Sequence, residues 1–228
     1  MTLKSKKKSF STVTYTEVFR RLGITHLQPW ELPIVPKSPS QFLQQHFERL
    51  QRFDLQSSEE SRKLIIDAIL LEVIAEFPKL KIWKGVNLES NEFQGVVDYL
   101  VAEDKAYLDT PMVCVVEAKR DDFLQGLAQC LTEMHVCQWQ NWQANKDFDI
   151  FGVVTNGEGW KYYRLTTHNT VYETSLYALS DMATVLGGLN YILRECEEIH
   201  LASPPNNCPG TKNSHGKSTG FREKISVV

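Results

Sequence analysis

A charged cluster at the ends of two predicted strands contains the residues best suited to chemistry. Asp98 lies in one apolar run, and Glu117, Ala118 and Lys119 close the next apolar run. Because strand side chains alternate between two faces, Glu117 and Lys119 share one face while Ala118 points to the other. A carboxylate and an ammonium in such a place cost desolvation energy unless they pair or hold a metal ion. The pattern therefore indicates an ion pair or a metal site.

These residue types suit the hydrolysis of a phosphodiester. Mg²⁺, for which Mn²⁺ can substitute, prefers oxygen ligands and supplies much of the positive charge that this reaction needs. Asp98 and Glu117 could hold the cation together with the backbone carbonyl of Ala118, which leaves positions open for water and phosphate. Lys119 could orient or deprotonate the water and offset negative charge at the phosphate. The cluster thus has the parts of a hydrolytic metal site.

Hydrophobic periodicity predicts an α/β chain around this cluster. A helix opens at Ser57, with Glu60 in a capping-box position, and runs to about Phe77. A long helix capped by Asp121 or Asp122 follows three strands and ends at about residue 142. The predicted strands span about 80–88, 93–102, 112–119, 148–154, 160–165 and 170–177, and a last helix spans about 181–199. A mixed central sheet flanked by helices is the expected architecture.

The remaining residues divide into a leading segment and a tail. Residues 1–56 are predicted to be a basic, mobile N-terminus and a helical strap, in which 13–37 show no clear periodicity and 40–53 have helical spacing. Residues 57–200 form the predicted α/β domain. Residues 201–228, rich in Ser, Pro, Asn, Gly and Lys, are predicted to be disordered because they cannot bury enough apolar surface.

Composition limits the partners that we expect. The 228 residues carry a formal net charge of −3, so the overall field repels phosphate and any nucleic-acid contact needs a local basic patch. Candidates for that patch are Lys79, Lys81, Lys84, Arg120, Lys161 and Arg164. No apolar run approaches membrane-spanning length, and five scattered cysteines suit a reducing compartment. We therefore expect a cytoplasmic protein with no membrane partner.

The order of elements and motifs resembles the PD-(D/E)XK nuclease superfamily, which has the restriction-endonuclease-like fold. The resemblance covers roughly residues 57–165, where a helix, three strands, a helix and a strand carry Asp98 and the Glu-Ala-Lys triplet. Three stretches look closest to the N-terminal nuclease of type I restriction motor subunits and to small bacterial relatives. They are Val115–Lys119, Gly126–Gln129 and Gly152–Gly157, the last followed by Trp160. The run before Asp98 lacks the proline of the superfamily's name.

This resemblance implies an αβββαβ core, with a helical strap before it and a hairpin plus helix after it. It also implies a Mg²⁺-dependent endonuclease that acts on DNA, as a homodimer or with a separately encoded partner protein. Gln125 and Gln129, four residues apart on the long helix, would give the site polar support. The first helix would bring a carboxylate near the metal, with Glu60 as first choice and Glu72 as second. Glu60 is equally well explained as the capping-box partner of Ser57.

Each feature also has a structural alternative. A Glu-X-Lys triplet on a strand is often a surface ion pair, and Asp98 could cap a turn. Cys130, His135 and Cys137 have spacings that scatter them around one helix, so a zinc site is not expected. For the whole chain, the alternatives are a catalytically inactive nucleic-acid-binding or assembly module on the same fold and a purely structural protein. Affinity for divalent cations separates the nuclease from both.

Overall fold

The computed structural model describes residues 7–119 and 122–202. These residues form one mixed sheet with helices packed against it. Its strands are β1 (Lys8–Ser9), β2 (Leu27–Pro29), β3 (Leu80–Glu89), β4 (Phe93–Glu103), β5 (Met112–Ala118), β6 (Ile150–Thr155), β7 (Gly159–Leu165), β8 (Val171–Glu173) and β9 (Tyr177–Ala178). The α-helices are α1 (Tyr15–Leu22), α2 (Gln41–Leu50), α3 (Glu59–Ile74), α4 (Phe123–Gln143) and α5 (Met182–Ala202). Short 3₁₀ turns cover Phe10–Thr12 and Leu179–Asp181.

The sheet combines antiparallel and parallel neighbours. Strand β4 pairs antiparallel with β3 and β5, β5 pairs parallel with β6, and β6 pairs antiparallel with β7. The hairpin between β6 and β7 turns at Gly157, whose φ of 86° lies in the region that glycine adopts without strain. This arrangement confirms the predicted mixed α/β class with a central sheet and flanking helices.

Two apolar clusters cover the two faces of the sheet, and β5 contributes to both. Val115 of β5 belongs to the cluster that contains Leu131 of α4. Val116 belongs to the opposite cluster, with Ile66 of α3 and Leu186 of α5. Every residue of β5 is buried, which explains why its sequence is apolar at consecutive positions rather than alternating. Charged side chains at the end of this strand therefore lie between helices on both sides.

Helix α3 begins one residue later than the sequence predicts. The N-cap is Ser58, whose Oγ accepts a hydrogen bond from the Ser61 backbone N–H at 3.0 Å. The predicted capping box of Ser57 and Glu60 is therefore wrong. Two consecutive serines offer two possible caps, and the choice of Ser58 turns the side chain of Glu60 outward, where it is 79 % exposed.

The N-terminal segment is an ordered part of the sheet from residue 7 onward. Strand β1 pairs in parallel with the start of β4, and the Phe10 side chain is 1 % exposed. Its ring packs against Gly95, where any Cβ would lie 2.5 Å from Phe10 Cδ2. The predicted mobility is therefore wrong for residues 7–12. Residues 13–37, whose sequence shows no clear periodicity, contain α1 and β2. Residues 1–6 lie outside the described part.

Loss of the Phe10 ring is expected to destabilise the protein. Phe10→Ala should lower the free energy of unfolding by about 3 kcal/mol, because it removes a buried ring and leaves a cavity beside Gly95. Phe42→Ala is the matched control, since Phe42 is 59 % exposed, and its cost should stay below about 1 kcal/mol. Urea unfolding of both variants measures the difference. Equal costs would show that residues 7–12 do not contribute to the core.

Two later predictions need correction or lie outside the structure. The predicted strand 170–177 is interrupted at Thr174, whose Oγ1 accepts a hydrogen bond from the Tyr162 N–H, so β8 and β9 are separate short strands. Of the predicted tail 201–228, residues 201 and 202 end α5, and 203–228 lie outside the described residues. Within residues 7–119 and 122–202, no helix has the length and apolarity needed to cross a membrane.

Candidate active site

Strands β4 and β5 stop pairing where the predicted acidic residues lie. Their ladder ends at the pair Tyr99–Val116, although β5 continues to pair with β6 as far as Ala118. The next pair in the same register would be Asp98 and Glu117. Instead, Asp98 Oδ2 accepts a hydrogen bond from the Ala118 backbone N–H at 3.0 Å. We call this place, defined by Asp98, Glu117, Ala118 and Lys119, the β4–β5 fork.

Helix α3 contributes a lysine to the fork rather than a carboxylate. Lys63 Nζ lies 2.9 Å from Asp98 Oδ1 and 2.8 Å from Glu60 Oε1. Burial lowers the pKa of Lys63, but the Glu60 and Asp98 carboxylates outweigh burial and the pKa is raised overall. Lys63 is therefore a permanent cation that holds Asp98 in place. Sequence reasoning missed it, although its position three residues after Glu60 is a recognisable ion-pair spacing.

Glu117 and Lys119 form the predicted pair on one face of β5. Lys119 Nζ lies 2.7 Å from Glu117 Oε1, and Glu117 is 1 % exposed. The contact is an ion pair in poor hydrogen-bond geometry, because neither carboxylate oxygen of Glu117 has a well-aligned donor. Burial and then the charge of Asp98 raise the pKa of Glu117 to about 7, against the opposing effect of Lys119. The folded protein therefore favours the protonated, neutral form of Glu117 more than the unfolded chain does.

Lys119 itself remains an ammonium in this arrangement. Burial lowers its pKa, but the adjacent Glu117 carboxylate outweighs burial, so the pKa of Lys119 is raised. Helix α4 passes close to its stem at Gly126, where a Cβ would lie 3.0 Å from Lys119 Cγ and 2.8 Å from Val154 Cγ1. A charged donor held in this way can bind a phosphate oxygen or orient water, whereas it is poorly suited to accept a proton.

Helix α4 adds a third acidic side chain that sequence reasoning missed. Glu133 is 0 % exposed, and its Oε1 accepts a hydrogen bond from Gln129 Nε2 at 3.1 Å. Burial and the charge of Glu117 raise the pKa of Glu133 well above its usual range. A carboxylate inside the apolar stripe of a buried helix, four residues after Gln129, was the available signal. Gln129 thus donates to a buried carboxylate of its own helix, a partner that the sequence analysis did not name, and its place in the site stays a prediction.

Two of the predicted site residues point elsewhere. Gln125 Nε2 donates to the backbone carbonyls of Ser11 and Val13, each at 3.3 Å, and so holds the N-terminal segment. The predicted grouping of Gln125 with Gln129 is wrong, because the N-terminal segment passes beside the start of α4 and its carbonyls accept hydrogen bonds from Gln125. Glu72 accepts hydrogen bonds from the backbone N–H and hydroxyl of Ser40, at 2.7 and 2.8 Å. Glu72 thus anchors the start of α2.

Of the two first-helix carboxylates, Glu60 is the one associated with the fork. It reaches the fork only through Lys63, which bridges it to Asp98. Glu59 also lies near Lys63, with 3.9 Å between its Oε1 and Lys63 Nζ. At the start of α3, Lys63 therefore lies among the carboxylates of Glu59, Glu60 and Asp98, and its charge balances that of Asp98.

Most cations of the predicted basic patch face carboxylates. The pairs are Lys81–Asp104 at 3.3 Å, Lys84–Asp67 at 2.6 Å, Lys161–Glu173 at 2.5 Å and Arg164–Asp149 at 2.5 Å. Arg120 lies outside the described residues. Neutralised cations contribute little to general phosphate affinity, so this surface does not supply the strong field of a sequence-independent DNA-binding protein.

The donor atoms at the fork fit a hard divalent cation. In residues 7–119 and 122–202, no three His, Cys, Asp or Glu side chains are arranged as a metal-ligand set. Mg²⁺ does not require such a set, because it keeps several water ligands and binds proteins through one or two carboxylates. Asp98 and Glu117 supply two; Glu117 Oε1 is ion-paired with Lys119 at 2.7 Å, and Glu117 Oε2 is buried without a hydrogen-bond partner. Cys130 and Cys137 are buried core residues.

Two comparisons with known proteins were informative only in finding no match. A scan against protein-family models finds no match, and a search of curated proteins finds no significantly similar sequence. The class of protein is therefore proposed from the mixed α/β fold and from the side chains that meet at the β4–β5 fork.

Proposed function

We propose that this chain is a divalent-cation-dependent deoxyribonuclease of the PD-(D/E)XK superfamily. The observation that carries the proposal is the meeting of Asp98, Glu117 and Lys119 at the point where the β4–β5 ladder ends. The order α3, β3, β4, β5, α4, β6 supports it, because this is the αβββαβ order of the restriction-endonuclease-like core. The parallel pairing of β5 with β6 supports it as well.

Each residue of the fork has a defined role in this proposal. Asp98, Glu117 and the Ala118 carbonyl would hold Mg²⁺, or Mn²⁺ in its place. When bound, the cation activates water and neutralises the charge that develops on the phosphate. Lys119, protonated and on the face of Glu117, binds the phosphate and orients the attacking water. Lys63, whose Nζ lies 2.9 Å from Asp98 Oδ1, balances the charge of Asp98 and competes with the cation for that oxygen.

DNA is the substrate class that we propose, and the fork itself is the main source of affinity. The chain is net negative and the nearby surface cations are paired, so charge at the fork must bind the phosphate. Binding should therefore depend on the divalent cation and weaken steeply with salt. A homodimer or a separately encoded partner protein would enlarge the DNA contact.

A cleavage panel tests the proposed function. Plasmid, linear, single-stranded and branched DNA are incubated with Mg²⁺, Mn²⁺ or EDTA, and wild type is compared with Lys119→Ala. Cutting is expected only with a cation and should fall at least about 100-fold in the variant, which lacks the phosphate-binding ammonium. Lys105→Ala is the matched control. Lys105 lies away from the fork and forms ion pairs with Glu103, at 2.8 Å, and with Asp109, at 3.1 Å. Equal background cutting by wild type and Lys119→Ala, or no cutting, would contradict nuclease activity on these substrates.

One observation favours the inactive binding module as a second candidate. Both oxygens of Asp98 already accept hydrogen bonds, from Lys63 and from the Ala118 N–H. A carboxylate balanced in this way needs no cation, so the fold could persist without turnover. This module would bind DNA equally in EDTA and in Mg²⁺ and would show no affinity for Mn²⁺ in calorimetry. Cation-dependent binding would eliminate it.

A further inference from the structure

A cleft beside strand β1 is lined by side chains that can bind phosphate. Its volume is about 510 Å³. The lining residues carry three positive charges, two hydroxyl groups and one amide: Lys7, Lys8, Ser9, Thr12, Arg21 and Gln94. No carboxylate lines this cleft among the described residues, whereas the groove beside Lys84 is lined by Asp67 and Asp104 as well. We call this place the β1 cleft.

The β1 cleft and the fork lie on the same edge of β4. Gln94 pairs with Glu89 of β3 on one side and with Ser9 of β1 on the other. Strand β1 therefore occupies the edge of β4 with which β5 pairs from Tyr99 onward. Gln94 and Asp98 are four residues apart on β4, which corresponds to about 13 Å at 3.3 Å per residue. The cleft thus flanks the fork at a short distance.

The N-terminal segment that forms the β1 cleft is fixed on both sides. The Phe10 ring packs against Gly95 of β4, and Gln125 of α4 donates hydrogen bonds to two backbone carbonyls of the segment. The next residue of α4 is Gly126, where a Cβ would lie 3.0 Å from Lys119 Cγ. The cleft is therefore held in place relative to Lys119 before any ligand binds, which lowers the entropic cost of binding.

The cations of the β1 cleft form exposed ion pairs that a phosphate can replace. The pairs are Lys7–Glu89 at 2.7 Å, Lys8–Glu17, Arg21–Glu17 at 3.2 Å and Arg21–Glu92 at 2.5 Å. Exposed pairs of this kind contribute little to stability, so their rearrangement costs little. The side chain of Gln94 is exposed, and no hydrogen bond of its amide is found within residues 7–119 and 122–202. Its NH₂ group can therefore donate to a ligand.

We propose that the β1 cleft binds a backbone phosphate of the DNA substrate on one side of the cleavage site. This inference rests on the proposed function, because the fork defines where the strand is cut. Lysine, arginine and amide donors are the groups by which proteins hold the DNA backbone in register without reading its sequence. At 3.4 Å per nucleotide along one strand, the distance of about 13 Å corresponds to about four nucleotides. None of the cations predicted from the sequence to contact phosphate lines this cleft.

The salt dependence of DNA binding tests the β1 cleft. A short fluorescein-labelled duplex is titrated with the full chain in CaCl₂ at several salt concentrations, and gels check that the duplex stays intact. Lys7→Ala/Lys8→Ala should bind about 10-fold more weakly, and the slope of log affinity against log salt should fall by about 2, because each phosphate contact contributes about 0.9. In Mg²⁺, the KM for cleavage should rise while kcat stays unchanged, because the cleft does not touch the reacting atoms.

A second variant tests the cleft without removing an ion pair. Gln94→Glu keeps the size of an exposed side chain and places a negative charge among the donors. It should weaken DNA binding about 10-fold through repulsion of the phosphate. This variant also provides the test if Lys7→Ala/Lys8→Ala does not fold.

Lys37→Ala/Lys105→Ala is the matched control, and the outcomes separate the cleft from the nuclease. It removes two ammonium groups that are paired elsewhere, with Glu76 and with Glu103 and Asp109. Equal DNA affinity of the control and Lys7→Ala/Lys8→Ala would overturn the β1 cleft and leave the nuclease if wild type cuts DNA. Binding that depends on the cleft without any cutting would keep the DNA contact and overturn the nuclease. No DNA binding by wild type would overturn both proposals.

Discussion

Asp98→Asn is expected to lower cation-dependent DNA cleavage by about 10³-fold, which corresponds to about 4 kcal/mol of transition-state stabilisation. The substitution keeps the size of the side chain but removes one of the two carboxylates at the fork. It also creates a conflict, because the asparagine amide must direct its NH₂ toward either Lys63 Nζ or the Ala118 N–H. Single-turnover cleavage at saturating Mg²⁺, on the DNA form that wild type cuts best, measures the loss.

Lys63→Met is the counterpart of this variant and should act in the opposite direction on cation binding. It removes the ammonium that lies 2.9 Å from Asp98 Oδ1 and keeps most of the apolar stem. Affinity for Mn²⁺ at Asp98 and Glu117 should therefore rise about 10-fold, as expected when a competing charge about 3 Å away is lost. If Asp98→Asn cut DNA like wild type, the fork would not be the active site. Weaker Mn²⁺ binding in Lys63→Met would show that Lys63 supports the cation rather than competing with it.

In the absence of divalent cations, the protein should be less stable at pH 8 than at pH 5 because of Glu117. Burial and the charge of Asp98 raise the pKa of this carboxyl from 4.5 to about 7 in the folded state. The folded protein therefore holds a proton that the unfolded chain has already released. The contribution of Glu117 to stability is complete below pH 4.5 and is lost as the pH rises through 7. Between pH 5 and pH 8 this loss of stability amounts to about 2–3 kcal/mol.

Glu117→Gln removes this cost while it removes a proposed cation ligand. In EDTA at pH 8 its melting temperature should exceed that of wild type by about 5 °C or more, and the two should converge near pH 5. Mg²⁺ should raise the melting temperature of wild type at pH 8 and leave the variant unchanged. Glu48→Gln is the control, because its carboxylate is exposed on α2. A variant less stable than wild type at pH 8 would mean that the Glu117 charge is compensated in the folded protein.

Features that depend on neighbours in the chain could be predicted from the sequence. Strand alternation placed Glu117 and Lys119 on one face, and their Nζ–Oε1 distance of 2.7 Å agrees. Hydrophobic periodicity located α3, α4 and the strands from β3 to β7 with small errors at their ends, because burial imposes a period on the sequence of each element. The mixed α/β class follows from the order of those elements.

The N-terminal region could not be predicted in this way. Strand β1 has two residues and exists because β4 pairs with it, and Phe10 is held by Gly95 far along the chain. Helix α1 has eight residues, a length at which a helix depends on packing against the rest of the protein. Neither element has a local pattern strong enough to be recognised without its partner.

The order of residues along the chain fixes which residue types lie near the end of β5, but which of these side chains meet depends on how the helices pack on the sheet. Lys63 contacts Asp98 across 35 residues of chain, and the charge of Glu117 on β5 raises the pKa of Glu133 on α4. Gln125 and Gln129 have the same spacing and type, yet only Gln129 faces the fork. Such pairings depend on how helices cross the sheet and on which buried groups lack partners. Both are set by the packing of distant elements, because burying a charge costs less free energy where the fold brings a partner close to it.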